Sequence, residues 1–195
     1  VSCNNITIVG KGKGKTTILG GFYVNGKQNV KMEQLSATND AGNGLLCGGS
    51  GTNVDVTECC FKKCQYSGMF VHEGATTTAT RCDFMENGQC GVGCFDASTK
   101  VRLNDSTMHH NGSYGLGAAD HAVVDLHGTK TDIHSNKRYG IFAWRRAKVN
   151  IHLPSQHNTS HDNVHEDRLQ YNGGSIANIN ADGTFTHVVV EEEDD

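Results

Sequence analysis

Three carboxylates and one arginine recur along the middle of the chain at nearly equal intervals. They are Glu73, Asp96, Asp120 and Arg145, which lie 23, 24 and 25 residues apart by subtraction of their numbers. Carboxylates can hold Ca²⁺, which prefers several oxygen ligands, and an arginine can bind an anionic group such as a uronate. This chemistry requires the fold to bring the four side chains onto one face.

Aromatic residues and glycines accompany these charges at the same spacing. The set comprises Phe70, Gly93, Phe95, Gly117, Phe142 and Trp144. We expect the two glycines to floor a trough on an outward face, with Phe70 and Phe142 as its walls. Phe95 and Trp144 then offer ring faces to sugars. In the alternative interpretation the rings pack beneath a loop or against a protein partner, and the acids are solvated turn residues.

A repeat of ~24 residues supplies the scaffold for these positions. Glycines mark it at spacings of 24, 23, 24 and 25 residues, at Gly44, Gly68, Gly91, Gly115 and Gly140. Apolar residues alternate in short runs beside each glycine, as in strands, and Gly and Asn clusters separate the runs. The pattern predicts an all-β fold, a single-stranded right-handed parallel β-helix of about seven coils with ~24 residues per coil.

Two polar columns are predicted to hold the coils in register. Asn87, Asn111 and Asn136 share one position, where their amides can donate and accept hydrogen bonds from coil to coil. The other column alternates in charge and predicts a ladder of ion pairs on the surface. Its members are Glu58, Arg81, Asp105 and Lys130.

The repeats resemble the PbH1-type right-handed β-helix proteins, a family with pectate-lyase-like architecture. The stretch "NITIVGKGKGKTTILGG" is similar to a first coil of that family, with an apolar strand, a Gly-x-Gly turn and a Thr-apolar-apolar run. The resemblance extends from about residue 4 to residue 183 and implies the fold. Members of this family range from polysaccharide lyases, hydrolases and epimerases to fibres and inert scaffolds. The Gly-His-Gly motif of polygalacturonases and the Asp-Pro-His-Asp motif of alginate epimerases are absent.

We therefore expect a non-catalytic scaffold or binding module that presents a surface to glycan or protein, as part of a larger assembly. The alternative is a polysaccharide-active enzyme, a lyase, epimerase or hydrolase, that acts on uronate-type glycans. No catalytic residue or metal ligand is assigned. The candidate ligand-binding set is Phe70, Glu73, Gly93, Phe95, Asp96, Gly117, Asp120, Phe142, Trp144 and Arg145. Ca²⁺ is the cofactor to consider. The solenoid ends offer a route to self-association.

The composition of the chain limits the classes of partner that we expect. The formal net charge of −4 does not favour nucleic acid, and no apolar run is long enough to span a membrane. Eight cysteines occupy mostly apolar columns, which predicts reduced, packed thiols and mildly favours an intracellular or virion setting. No signal peptide is visible, and no compartment is assigned. We expect a β-helix domain at 1–183, followed by a final strand and an acidic tail at 184–195.

Histidines gather near the C-terminal end of the repeat. The segment "HNTSHDNVHED" places His157, His161 and His165 four residues apart, which would align them on one face of a helix. A helix there would allow a metal site, whereas a polar loop or short helix with solvated histidines is the favoured alternative. His109 and His134 share a column of the repeat.

Overall fold

The computed structural model describes residues 1–152 and 159–187, and within them the chain forms strands and no helix. The predicted all-β fold of about seven stacked, parallel coils is confirmed. No segment that could cross a membrane as a helix occurs among the described residues.

Three sheets run along the axis of the solenoid, and each coil contributes to all three. Sheet 1 consists of β1 (Ile6–Val9), β4 (Val30–Glu33), β7 (Asn53–Thr57), β10 (Thr76–Thr80), β13 (Lys100–Asn104), β16 (Val123–His127), β19 (Lys148–His152), β22 (Ser175–Ile179) and β23 (Phe185–His187). Sheet 2 consists of β2 (Thr17–Leu19), β5 (Ser36–Thr38), β8 (Cys60–Lys62), β11 (Asp83–Met85), β14 (Thr107–His109), β17 (Asp132–His134) and β20 (Thr159–His161). Sheet 3 consists of β3 (Phe22–Asn25), β6 (Leu45–Gly48), β9 (Met69–Val71), β12 (Val92–Cys94), β15 (Leu116–Ala118), β18 (Tyr139–Trp144) and β21 (Glu166–Tyr171).

Neighbouring coils pair in parallel, one repeat apart, so residues of one sequence column become neighbours in space. In sheet 2, for example, Phe84 pairs with Phe61 of the coil before it and with Met108 of the coil after it. All three side chains are fully buried, and the two phenylalanine rings stack with centroids 5.7 Å apart. Burial of each such side chain contributes about 1.5–3 kcal/mol relative to exposure.

Asparagines form the predicted ladder inside one corner. Asn87 Nδ2 donates to Asn111 Oδ1 at 3.0 Å, and Asn111 Nδ2 donates to Asn136 Oδ1 at 2.9 Å. Asn136 Nδ2 continues the series to Asn163 Oδ1 at 2.9 Å, a rung that the sequence analysis missed. The same Oδ1 atoms also accept the backbone N–H of the preceding asparagine, so each amide satisfies buried groups of two coils.

The column of alternating charges lies on the surface in the predicted register. Arg81 Nε lies 3.0 Å from Glu58 Oε1, and Asp105 Oδ1 accepts a hydrogen bond from the backbone N–H of Lys130 at 3.1 Å. Left-handed backbone at Glu58, Arg81 and Asp105, with φ of 53°, 53° and 47°, shows that this column forms a corner of the coil.

Eight cysteines are free, as predicted, and all except Cys3 are buried. Burial raises the pKa of Cys47 and of Cys82 to about 12, so these thiols pack as small apolar groups. At the C-terminal end, β23 pairs antiparallel with β22 and covers part of the last strand edge. The acidic tail lies outside the described residues.

Candidate functional site

The outer face of sheet 3 carries the predicted aromatic and glycine columns. Phe70, Gly93, Gly117 and Phe142 occupy successive rungs of β9, β12, β15 and β18, as the repeat predicted. Alternation along β9 explains their orientation, because Met69 and Val71 are fully buried while Phe70 between them is half-buried. The two glycines are therefore stacked on the outer face.

Aromatic rings cover these glycines, so the open trough expected from the sequence does not form. Phe70 and Phe95 stack with centroids 4.9 Å apart, and a Cβ atom on Gly93 would lie 2.7 Å from the Phe70 ring. Phe95 meets Trp144 edge-on at 5.1 Å, across the rung of Gly117. The physical reason is that a glycine without a Cβ lets neighbouring rings approach the sheet and bury area against each other.

Two tyrosines that the sequence analysis missed complete the cluster. Tyr114 lies 5.1 Å from Phe142 and 5.7 Å from Tyr139, measured between ring centroids. Phe142 in turn stacks on Trp144 at 4.4 Å with an interplanar angle of 16°. The signal was available, because each tyrosine directly precedes a repeat-marking glycine. We name this cluster the aromatic surface, and its members are Phe70, Phe95, Tyr114, Tyr139, Phe142 and Trp144, all half-buried.

The four charged residues of the predicted site lie at the corner that follows this surface. Glu73, Asp96, Asp120 and Arg145 have left-handed backbone, with φ of 53°, 75°, 55° and 48°. Asp96 Oδ2 accepts a hydrogen bond from the backbone N–H of Glu73 at 3.2 Å. Arg145 Nη1 lies 3.6 Å from Asp120 Oδ1. These contacts join consecutive coils, so the column has a structural role at the corner in addition to flanking the rings.

The three carboxylates of this corner do not form a cluster of converging metal ligands within the described residues. Ca²⁺ binding there, considered from the sequence, has no preformed ligand set in the structure. The corner can instead offer hydroxyl-binding oxygens and one guanidinium beside the aromatic surface.

A cleft of about 310 Å³ extends the aromatic surface towards the N-terminal coils. It is continuous with that surface because Leu46, in its wall, pairs with Phe70 on the next rung. Tyr23 and Tyr66 are 53% and 44% exposed there, so the cleft keeps ring area open to solvent. Its lining comprises Gly21, Phe22, Tyr23, Asn39, Gly42, Asn43, Leu46 and Tyr66.

Comparison with protein families agrees with this architecture. The sequence model of a family described as the right handed beta helix region matches residues 15–164, which is most of the chain. The chain belongs to the right-handed β-helix family. The match supports the handedness and the resemblance inferred from the repeats. Neither the curated proteins nor the solved structures give a match. Membership of this family defines the fold and does not distinguish a scaffold from a binding module or an enzyme.

A group of possible metal ligands lies on the outer face of sheet 1 of this β-helix. Asp125 and His127 project from β16, and His152 projects from β19 on the next rung. The two imidazoles stack at 4.0 Å with an interplanar angle of 11°, and His152 Nε2 lies 2.9 Å from Asp125 Oδ1. Burial, assisted by the charges of His152 and Arg102, lowers the pKa of His127 to about 4.

A second histidine stack lies on sheet 2. His134 from β17 stacks between His109 and His161, with centroid distances of 5.0 Å and 5.3 Å. His161 Nε2 lies 2.9 Å from Asp132 Oδ1, and its Nδ1 lies 2.9 Å from Asp162 Oδ2. Hydrogen bonding to Asp162, together with Asp132, raises the pKa of His161.

The helix that would align these histidines does not form in the described residues of this segment, because this part of the chain continues the solenoid. His161 lies on β20 and stacks with His134, whereas His165 packs against Tyr139 with centroids 5.7 Å apart. His152 belongs to the other stack, and His157 lies outside the described residues. Among the described residues, His152 lies on sheet 1, His161 lies on sheet 2, and His165 lies in the bend between β20 and β21.

Proposed function

We propose that this β-helix is a non-catalytic binding module that holds a glycan chain along its aromatic surface. The observation that carries the proposal is a set of six half-buried rings from four consecutive coils, packed as one platform on one face. Contiguous, partly exposed apolar area of this kind is typical of interaction sites. At ~4.8 Å per coil the platform extends over about 14 Å, which suits an oligosaccharide better than a single sugar.

Ring packing favours recognition of a rigid, extended ligand. Phe142 and Trp144 hold each other at 4.4 Å, and Phe70 and Phe95 do so at 4.9 Å, so the rings are ordered before a ligand arrives. A preformed surface loses little side-chain entropy on binding. The C–H faces of pyranose rings can bury apolar area against such a surface, while sugar hydroxyls bond to polar groups at its edge.

The charges at the edge favour a neutral glycan over a polyuronate. Glu73, Asp96 and Asp120 flank the rings, and Arg145 is paired with Asp120. Carboxylates accept hydrogen bonds from hydroxyl groups but repel the carboxylates of a uronate chain. The acidic groups outnumber the arginine, so a neutral chain is the better match.

A binding panel with matched variants tests the proposal. We expect the protein to be retarded in affinity gels that contain one of a series of neutral glucans, xylans or mannans. Trp144→Ala removes a ring that contacts three of the other five rings of the platform, and it should weaken that binding at least tenfold. Phe185→Ala is the control, because Phe185 is 61% exposed and lies on β23, away from the aromatic surface. Unchanged binding by Trp144→Ala, or no binding to any glycan, would overturn the proposal, and a specific protein ligand for the same face would replace it.

The alternative function is a polysaccharide-active enzyme acting on uronate-type glycans. The position of Arg145 beside the rings is the observation that favours it, because its guanidinium can bind and orient the carboxylate of a uronate. Incubation with uronate polymers, with and without Ca²⁺, would reveal unsaturated products by ultraviolet absorption. Products that disappear in Arg145→Gln would replace the binding proposal with catalysis.

A further inference from the structure

We infer that Asp125, His127 and His152 form a binding site for a divalent transition metal ion such as Zn²⁺ on the outer face of sheet 1. This site is separate from the aromatic surface on sheet 3 and does not depend on the glycan-binding proposal. Two imidazoles and one carboxylate are a common ligand set for such ions.

The ligand atoms already converge. One atom from each of the three side chains lies within 4.8 Å of the other two, and this is the group with that property among the described residues. Bonds of about 2.0–2.2 Å to a tetrahedral ion place its ligands roughly 3–4 Å apart. The two rings must rotate out of their stack to close the site, because their planes differ by 11° and a bound ion lies in the plane of each imidazole.

The register of the solenoid holds these side chains together. Asp125 and His127 are two residues apart on β16 and so share a face, and the rung Leu126↔Ile151 places His152 beside His127. Leu126 and Ile151 are buried in the core, which fixes the rung from below. The site thus joins two consecutive coils without relying on a loop.

Neighbouring polar groups support and limit the site. Asn150 Nδ2 donates to Asp125 Oδ1 at 3.0 Å and orients the carboxylate, as residues behind metal ligands commonly do. Arg102 occupies the preceding rung, in register with Asp125, and its positive charge opposes a cation there. Arg102 therefore provides a variant that should improve binding rather than weaken it.

Nitrogen ligands define the class of ion. Ca²⁺ and Mg²⁺ prefer oxygen ligands, and this site supplies one carboxylate against two imidazoles. Zn²⁺, Co²⁺, Ni²⁺ and Cu²⁺ accept imidazole readily. The three side chains leave coordination positions for water or an exogenous ligand, because each is only half-buried.

Calorimetric titration of the full chain with Zn²⁺ at pH 7.5 tests the site. The titration uses a Cys3→Ser background, since Cys3 is an exposed thiol that could bind zinc by itself. We expect one equivalent of Zn²⁺ to bind and Ca²⁺ not to compete. His152→Gln and Asp125→Asn should each weaken binding about 100-fold, Asn150→Ala about tenfold, and Arg102→Gln should tighten it several-fold.

Matched controls come from the second histidine stack. His134→Gln and His161→Gln remove histidines from a similar stacked arrangement on sheet 2 and should leave zinc affinity within twofold. Circular dichroism and thermal melts of every variant confirm that its β-helix is intact. Absence of zinc binding, or equal loss on His161→Gln and His152→Gln, would overturn the assignment.

Discussion

Two strands of the same coil carry the same pattern, an aspartate, an apolar residue and a histidine, yet they build different surroundings. On β16 the pattern is Asp125-Leu126-His127, and on β17 it is Asp132-Ile133-His134. Each histidine stacks on one from the following coil, His127 on His152 at 4.0 Å and His134 on His161 at 5.3 Å. In both stacks, therefore, the imidazoles of consecutive coils lie parallel to each other.

The difference lies in what surrounds the imidazoles. In the first stack burial dominates, and the pKa of His127 falls to about 4. In the second stack His161 is exposed between Asp162 and Asp132, which raise its pKa. Ser135 Oγ also lies 3.0 Å from His134 Nδ1. A column of identical residues thus does not define a site, because the neighbours outside the column decide the charge and the availability of its atoms.

The largest expected effect comes from the buried ladder that adjoins the second stack only. Asn136 follows His134 by two residues, is fully buried, and bonds to coils on both sides. Asn136→Ala leaves several buried groups without partners and should lower the free energy of unfolding by roughly 3 kcal/mol. Urea denaturation measures the loss.

Asn104→Ala is the control for that variant, because Asn104 is an outward-facing residue of β13 that bonds to Thr80 Oγ1 at 3.2 Å. It should cost less than about 1 kcal/mol. Proton spectra of the histidines should change for the second stack and not for the first in Asn136→Ala. Equal stability of the two variants would show that the ladder does not hold this region.

The next largest expected difference between the two stacks is in the pKa values of their histidines. We expect His127 to titrate near pH 4 and His161 to titrate above the ordinary histidine value of 6.5. Nuclear magnetic resonance of the imidazole Cε1–H groups, assigned with His127→Gln and His161→Gln, measures both. Two midpoints that coincide near pH 6.5 would remove the difference between the stacks.

The dependence of stability on pH should carry the two titrations with opposite signs. The pKa of His127 is lower in the folded state, so its contribution is fully present above about pH 6.5 and is lost as the pH falls through about 4. The pKa of His161 is raised on folding, so its contribution is present below about pH 6.5 and is lost as the pH rises through the raised value. Comparing thermal melts of the protein and of His127→Gln between pH 4 and 7 isolates the contribution of His127 to the pH dependence of stability. An unchanged pH profile in His127→Gln would contradict it.

The smallest expected effect distinguishes hydrogen bonding from burial as the cause of the pKa shifts of His161 and His127. Asp162→Asn should lower the pKa of His161, because the bond to Asp162 is its largest raising contribution. Asp125→Asn should change the pKa of His127 less, since burial is the dominant cause there and Asp125 only opposes it. The same resonance titrations measure both changes. A larger shift in Asp125→Asn would reverse the assignment of causes.

The repeat made the scaffold predictable from the sequence. Glycine spacing placed Phe70, Gly93, Gly117 and Phe142 on consecutive coils, and the asparagine column identified Asn87, Asn111 and Asn136, three of the four asparagines of the ladder. These features follow from chain length per coil and from strand alternation, which are local properties. Asn163 was missed because a longer coil separates it from Asn136, so counting by 24 residues passes over it.

Side-chain packing across rungs was not predictable in the same way. Whether an open trough forms over Gly93 and Gly117 depends on the side-chain orientation of the neighbouring aromatic residues. The rings of Phe95 and Trp144 are oriented towards the glycines and cover them. The group of Asp125, His127 and His152 escaped notice because the histidines were compared by the linear spacing of His157, His161 and His165, and His127 was not aligned with His152, which lies one coil of 25 residues later. A search for Asp-x-His followed by a histidine one coil later would have found it.

Anomalous diffraction from a crystal soaked in Zn²⁺ tests most directly whether a metal site requires converging ligand atoms or only stacked histidines. We expect one strong peak at the zinc edge between Asp125, His127 and His152, and no comparable peak at Asp132, His134 and His161. Absence of a peak at the first group, with or without one at the second stack, would contradict the assignment.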